Sequence, residues 1–174
     1  MQLVVLDKIE VDLSVLELIL YKKFPTHYGS VVRNTSMMKS VENMDVLIIE
    51  DSAATAGVIS DYLKQLDYKE IHICNDGKTG INKFLELSRS NRSPLVFLDY
   101  YLPDMDAVSV FEELIGAQPK VRIIIETVGG KYDDGINYLI QQGAYHFLQK
   151  PFSFEDLKRM MNKFETEQVI FAQK

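Results

Sequence analysis

Residues 95–99 read Leu-Val-Phe-Leu-Asp, four apolar side chains in unbroken succession and then a carboxylate. A strand wet on one face alternates apolar with polar residues. A run without alternation belongs to a strand covered on both faces, as in a parallel sheet. Four more runs of this kind flank it: Val46-Leu47-Ile48-Ile49, Ile71-His72-Ile73-Cys74, Val121 to Ile125 and Ala144 to Leu148. Between and after them lie stripes with helical period: Ile59, Leu63 and Leu66; Ile81, Phe84 and Leu85; Phe111, Leu114 and Ile115; Ile136, Leu139 and Ile140; Leu157, Met160, Met161 and Phe164. Each is the apolar face of a helix lying on a sheet. Gly143 reads as a helix C-cap, and Ser153 with Asp156 three residues on reads as a helix start. Five βα units in about 120 residues make an open, doubly wound α/β domain with helices on both faces.

The composition agrees and excludes several classes. Of 174 residues, 47% are hydrophobic and 25% charged, with Gly 9 and Pro 5, so the chain is neither disordered nor fibrous. A net charge of −6 does not favour direct nucleic-acid binding, which wants a basic face. The single Cys74 rules out an internal disulfide and a cysteine-built zinc site, and fits a reducing interior. No apolar stretch approaches the length of a membrane span, and Leu3 to Leu20 is broken by Asp7, Lys8, Glu10, Asp12 and Glu17. With no basic leader or small-residue cleavage site there, the expected location is cytoplasmic, with no membrane partner.

In sheets of this type the site lies beyond the carboxyl ends of the strands, where strand order reverses. Glu50 and Asp51 follow the first run, Asp99 the third, Thr127 the fourth and Lys150 the fifth. Three carboxylates, a hydroxyl and an ammonium thus meet at one edge. Two carboxylates about 5 Å apart repel by about 3 kcal/mol at an effective dielectric of about 20, so a cation belongs among them. An all-oxygen set points to a hard ion, Mg²⁺ most naturally. With Lys150 and Thr127 as donors to an anion on Asp99, the set suffices for phosphoryl transfer, which needs chiefly alignment and charge neutralisation.

The stretch Leu98-Asp99-Tyr100-Tyr101-Leu102-Pro103-Asp104-Met105-Asp106 then carries a resemblance. With Glu50-Asp51, Gly143-Ala144 and Phe147-Leu148-Gln149-Lys150-Pro151-Phe152, it makes the chain similar to the receiver domains of two-component response regulators. The resemblance implies a flavodoxin-like sheet of strand order 2-1-3-4-5 over residues 45–165. It implies Asp99 as phosphoacceptor from a histidine kinase or phosphotransfer protein in a phosphorelay. Glu50, Asp51, Asp99 and the backbone carbonyl of Tyr101 would hold Mg²⁺, while Thr127 and Lys150 would bind the phosphoryl oxygens. It further implies coupled switching of Thr127 and Phe147, a cis Lys150-Pro151 bond, and output through contacts with a downstream protein. Such a protein phosphorylates and dephosphorylates itself but turns over no substrate, so it is not expected to be an enzyme.

Some residues depart from the family pattern. Val128 replaces a small residue after Thr127, Ala107 a glycine, and Glu126 an apolar residue. By strand alternation Glu126 should point away from Thr127, into a core that must tolerate its charge. Tyr101 and Val128 are expected to shield an acyl phosphate from water. Were they to block the chemistry, the chain would be a pseudo-receiver, a constitutive interaction module. A third reading, a phosphatase using Asp104-Met105-Asp106-Ala107-Val108, lacks the buried strand that motif needs directly before its first acid. His72, within a run, is expected to be a packed or satisfied histidine.

Residues 1–44 read as an N-terminal extension. Ile9, Val11, Leu13 and Val15 alternate with polar neighbours as a strand, and Ser14 with Glu17 opens a short helix that Pro25 closes. Alternatively Leu6, Ile9, Leu13, Leu16 and Leu20 form a helical seam. Either way the segment is too apolar to stand in water, so it packs on the domain, on a second copy as a homodimer, or on a partner, the last including a reduced helix-turn-helix. Residues 34–43 read as linker and 166–174 as a tail that extends the last helix, with no effector domain after it.

Overall fold

The computed structural model describes the backbone of residues 3–6, 9–12, 44–90, 92–129 and 134–172, and the side chains of those between 44 and 165. The chain divides into two compact units, Met1–Ser40 and Val41–Lys174. In the first, β1 (Leu3–Leu6) pairs antiparallel with β2 (Ile9–Asp12), Leu6 opposite Ile9. A helical seam through Leu6 and Ile9 is therefore not formed: both residues sit at the closed end of a hairpin. Ser14, Glu17 and the linker at 34–43 lie outside the described residues.

The second unit is built from β3 (Asp45–Ile49), α1 (Ala53–Gln65), β4 (Glu70–Cys74), α2 (Gly77–Arg89), β5 (Leu95–Asp99), α3 (Ala107–Ala117), β6 (Arg122–Thr127), α4 (Asp134–Gln141), β7 (His146–Gln149) and α5 (Phe154–Ala172). All its strand pairs are parallel, in the order β4-β3-β5-β6-β7, which is 2-1-3-4-5 within the unit.

Alternation along each strand sorts its side chains into two apolar layers. Val46, Ile48, Leu95, Phe97, Ile124 and Leu148 meet Ala56, Ile59 and Leu63 of α1 and Leu157, Met160, Met161 and Phe164 of α5. Leu47, Ile49, Val96, Leu98, Ile123 and Ile125 meet Phe84 of α2, Val110, Phe111 and Leu114 of α3 and Leu139 of α4. The central strands β3 and β5 are buried throughout. At the edge, β4 is not: Ile73 is 51% exposed, because a border strand has a neighbour on one side only. Ile140, assigned to the buried stripe of its helix, is exposed as well. Helix α2 approaches β3 closely enough that a Cβ on Gly80 would stand 2.5 Å from Ile49 Cδ1.

Two strand ends differ from the sequence reading by two residues, the others by one at most. The last strand begins at His146, since Gly143 (φ +101°) and Ala144 are still closing α4 through bonds to Ile140 O and Leu139 O. The fourth strand runs on past Ile125 to Thr127, because its neighbours continue the ladder: Asp99 pairs with Glu126 and Thr127 with Gln149. At the opposite end of the sheet, the buried Asp45 carboxylate is met by His72 Nε2 at 2.9 Å and Arg92 Nη1 at 2.7 Å, so His72 has a partner. Among the described residues no helix is long and apolar enough to cross a membrane.

Candidate functional site

The pleat that sorts the core also builds the site. Counting on by two from the layer under α1 and α5, Ile48 leads to Glu50, Phe97 to Asp99, Ile124 to Glu126 and Leu148 to Lys150. Four ionisable side chains thus leave one face of the sheet at its carboxyl edge. Thr127 continues the opposite layer, after Ile125.

Each position has a local cause. Glu50 Oε1 accepts the backbone N–H of Ser52 at 3.0 Å, and Ser52 is the N-cap of α1, accepting from Thr55 N at 3.3 Å. The helix start therefore grips the carboxylate. Lys150 follows β7 directly; its N–H bonds to Thr127 O at 2.7 Å and its bond to Pro151 is cis. Tyr101 sits in the loop after Asp99, paired with Asp106 in an isolated antiparallel bridge. That loop is tied along its second half: Asp104 accepts from Gly77 N at 2.8 Å and Lys78 N at 3.0 Å, and Asp106 caps α3 by accepting from Ser109 N at 2.9 Å.

Oxygens of Glu50, Asp51 and Asp99 come within 4.8 Å of one another. Glu50 and Asp99 are buried, while Asp51 faces solvent. Lys150 Nζ donates to Glu50 Oε2 and lies 3.0 Å from Asp99 Oδ1. Burial raises the Glu50 carboxyl above its usual range despite the hydrogen bonds from Lys150 and Ser52 that favour its ionised form. Burial alone would lower the Lys150 ammonium; its hydrogen bond to Glu50, with Glu126 and Asp99 nearby, lifts it above its usual value instead.

Glu126 was expected to point away from Thr127 into the core, and its part in the site was not foreseen. It is fully buried, but its Oε2 lies 3.7 Å from Lys150 Nζ, which makes it a member of the cluster. Neither carboxyl oxygen makes a hydrogen bond among the described residues. Burial, with Glu50 and Asp99 adding to it, pushes this acid up to about 8, against the pull of Lys150. The signal that locates it is its spacing of two from Ile124, the same step that relates Ile48 to Glu50.

Thr127 is fully buried, and its hydroxyl accepts the N–H of Gly129 at 2.9 Å. Phe147 is half-buried and packs against the apolar layer beneath α2, α3 and α4. Tyr101 and Val128, at 56% and 65% exposure, flank the edge. Tyr101 meets the Tyr100 ring edge-on at 5.0 Å.

Glu50, Asp51 and Asp99 against one ammonium leave a surplus of negative charge, and two of the three are buried, where a surplus is least tolerated. The donor set holds oxygen alone, with no histidine or cysteine, and that chemistry fits Mg²⁺ bound beside Asp99.

Comparison with known proteins agrees with the geometry. The family model described as "Response regulator receiver domain" matches residues 46–162. A probable chemotaxis protein CheY of Rhizobium etli is 32% identical over 124 residues, covering 70% of this chain and 92% of that protein. A probable C4-dicarboxylate response regulator DctR of Priestia megaterium is 25% identical over 130 residues, 74% of this chain but 55% of its own length, so the chain spans about half of such relatives. Among solved structures, the CheX-CheY-BeF3-Mg complex of Borrelia burgdorferi shares the fold with a TM-score of 0.62 at 24% identity, over 70% of this chain and 89% of that one.

Proposed function

Because the chain belongs to the response regulator receiver domain family, we propose that it is a phosphorylation-controlled switch whose acceptor is Asp99. Receiver domains are signalling modules that work with histidine kinases and phosphotransfer proteins. For this chain the phosphodonor is a phosphohistidine on one of those two. An Asp99 oxygen forms the new P–O bond as the P–N bond breaks, and the departing imidazole nitrogen keeps the electron pair and takes up a proton. Glu50, Asp51, Asp99 and the Tyr101 carbonyl hold Mg²⁺, which when bound offsets the charge of the donor's oxygens. Lys150 pairs with the transferred group, and the Thr127 hydroxyl, which accepts from Gly129 N–H and keeps its own hydrogen to donate, turns toward it. That movement shifts Phe147 and so alters the protein-binding surface around α4, β7 and α5.

The observation that carries this reading is the meeting of Glu50, Asp51 and Asp99 oxygens within 4.8 Å, with Lys150 Nζ 3.0 Å from Asp99. The receiver body is residues 45–165, residues 166–174 are its tail, and residues 1–44 serve packing, dimerisation or docking. With a histidine kinase or phosphotransfer protein as donor, the event belongs to the cytoplasm on this reading.

The test is incubation of the full chain with acetyl phosphate and Mg²⁺, followed by intact-mass measurement. One phosphoryl group is gained by the native chain and none by Asp99→Asn or in EDTA. A native chain that gains nothing, or an Asp99→Asn chain that still gains it, refutes the assignment.

A further inference from the structure

Three carboxyl groups share the Lys150 ammonium unequally. Nζ donates to Glu50 Oε2 and stands 3.0 Å from Asp99 Oδ1, but 3.7 Å from Glu126 Oε2, beyond hydrogen-bond reach. Glu126 is nonetheless fully buried, with both oxygens unbonded among the described residues. A buried acid with empty acceptors costs stability in this state, so a state that supplies a partner is favoured by removing that cost. The nearby candidate is the ammonium itself. Two of its three partners, Glu50 and Asp99, belong to the oxygen set gathered within 4.8 Å, and Glu126 does not. The ammonium and a divalent cation therefore compete for the same two carboxylates, and their like charges repel.

Building on the metal site proposed above, we propose that Glu126 is a positioning residue: it takes over the Lys150 ammonium when Glu50 and Asp99 turn to a divalent cation. The arrangement allows it by side-chain rotation alone. All four groups leave the same face of the sheet, and the Lys150 backbone stays bonded to Thr127 O at 2.7 Å. Its flexible four-carbon stem lets the charge travel a short way without moving the strand. Without Glu126, the ammonium stays in contest for the metal's ligands or loses its partner in a buried place. Both outcomes weaken the metal.

The rival account is that Glu126 only adds negative field to the metal site. Calorimetric titration with Mg²⁺ alone separates the two, using the full chain, Glu126→Leu, the near-isosteric Glu126→Gln, Lys150→Met and the two double variants. Glu126→Leu and Glu126→Gln are expected to weaken Mg²⁺ by about tenfold or more, the usual scale for losing a group that orients ligands. Lys150→Met is expected to tighten it. In the Lys150→Met background, with no ammonium to receive, either Glu126 substitution should change affinity by less than about threefold, the coupling that a double-mutant cycle isolates. An equal loss in both backgrounds, or no loss in either, overturns the role of Glu126 and leaves the metal site standing. No Mg²⁺ uptake by the native chain overturns the metal site and this inference together.

Discussion

The stability of the metal-free protein should fall as pH rises from 5 to 8, and Glu126→Gln should remove most of that fall. In the folded chain burial holds the Glu126 carboxyl at about 8, whereas its ordinary value is 4.5. Between those two values the folded state keeps a proton that the unfolded chain has released. Stability therefore declines with rising pH across that window, the reverse of a salt-bridged carboxylate. At about 1.4 kcal/mol per pH unit the gap corresponds to about 5 kcal/mol, and side-chain relaxation with some water penetration brings the expected loss to about 3–5 kcal/mol. Glu50, raised in the same sense, titrates in both proteins and cancels from their difference. Lys150, raised above 10.5, stays charged throughout. The assay is urea unfolding of both proteins in EDTA at half-unit intervals from pH 5 to pH 8. Near pH 5 the two should be of similar stability, since glutamine stands in for a protonated glutamate. By pH 8 the variant should be more stable by several kcal/mol. A difference that stays flat within about 0.5 kcal/mol across the range means that Glu126 does not titrate there, and refutes the reasoning.

Two further results are expected. In Gly80→Ala, the methyl would meet Ile49 Cδ1 at 2.5 Å in a fully buried layer, so overpacking of about 1–3 kcal/mol outweighs the gain of about 1 kcal/mol in helix propensity; a lower melting temperature checks this, and a higher one refutes it. For the phosphorylated chain, Tyr101→Ala and Val128→Ala should each shorten the lifetime of the phosphoryl group on Asp99 severalfold, followed by intact mass after removal of donor; unchanged half-times show that these two exposed side chains do not shield it.

What could be read from the sequence, and what could not, divides along physical lines. The five strands and five helices of the second unit follow from runs and stripes because sheet burial is a local pattern repeated many times, and one deviant residue does not erase it. Glu50, Asp51, Asp99 and Lys150 were legible for a related reason: in a parallel sheet every strand delivers its last residue to the same edge. The edge strand β4 was less legible, since its run Ile71 to Cys74 resembles that of a central strand although Ile73 faces solvent. Nothing local records how many neighbours a strand will have. The hairpin of β1 and β2 shows the same limit, because spacings of three and four among leucines suit a helix until pairing partners are known.

Glu126 tests the argument most sharply. Read from its immediate neighbour Thr127, it belongs on the other face and hence in the core; read from Ile124, it belongs with Glu50, Asp99 and Lys150. Both statements are correct, because the core layer under α1 and α5 and the carboxyl edge of the site are one continuous face. Whether a side chain on that face counts as core or site depends on how far the strand extends, and β6 runs to Thr127 only because β5 and β7 carry its ladder that far. A charge at the end of an apolar strand is therefore decided by its neighbours' lengths. Here they set a buried acid beside an ammonium already bonded elsewhere, and the unbonded oxygens of Glu126 mark where that ammonium can go when another cation takes its present partners.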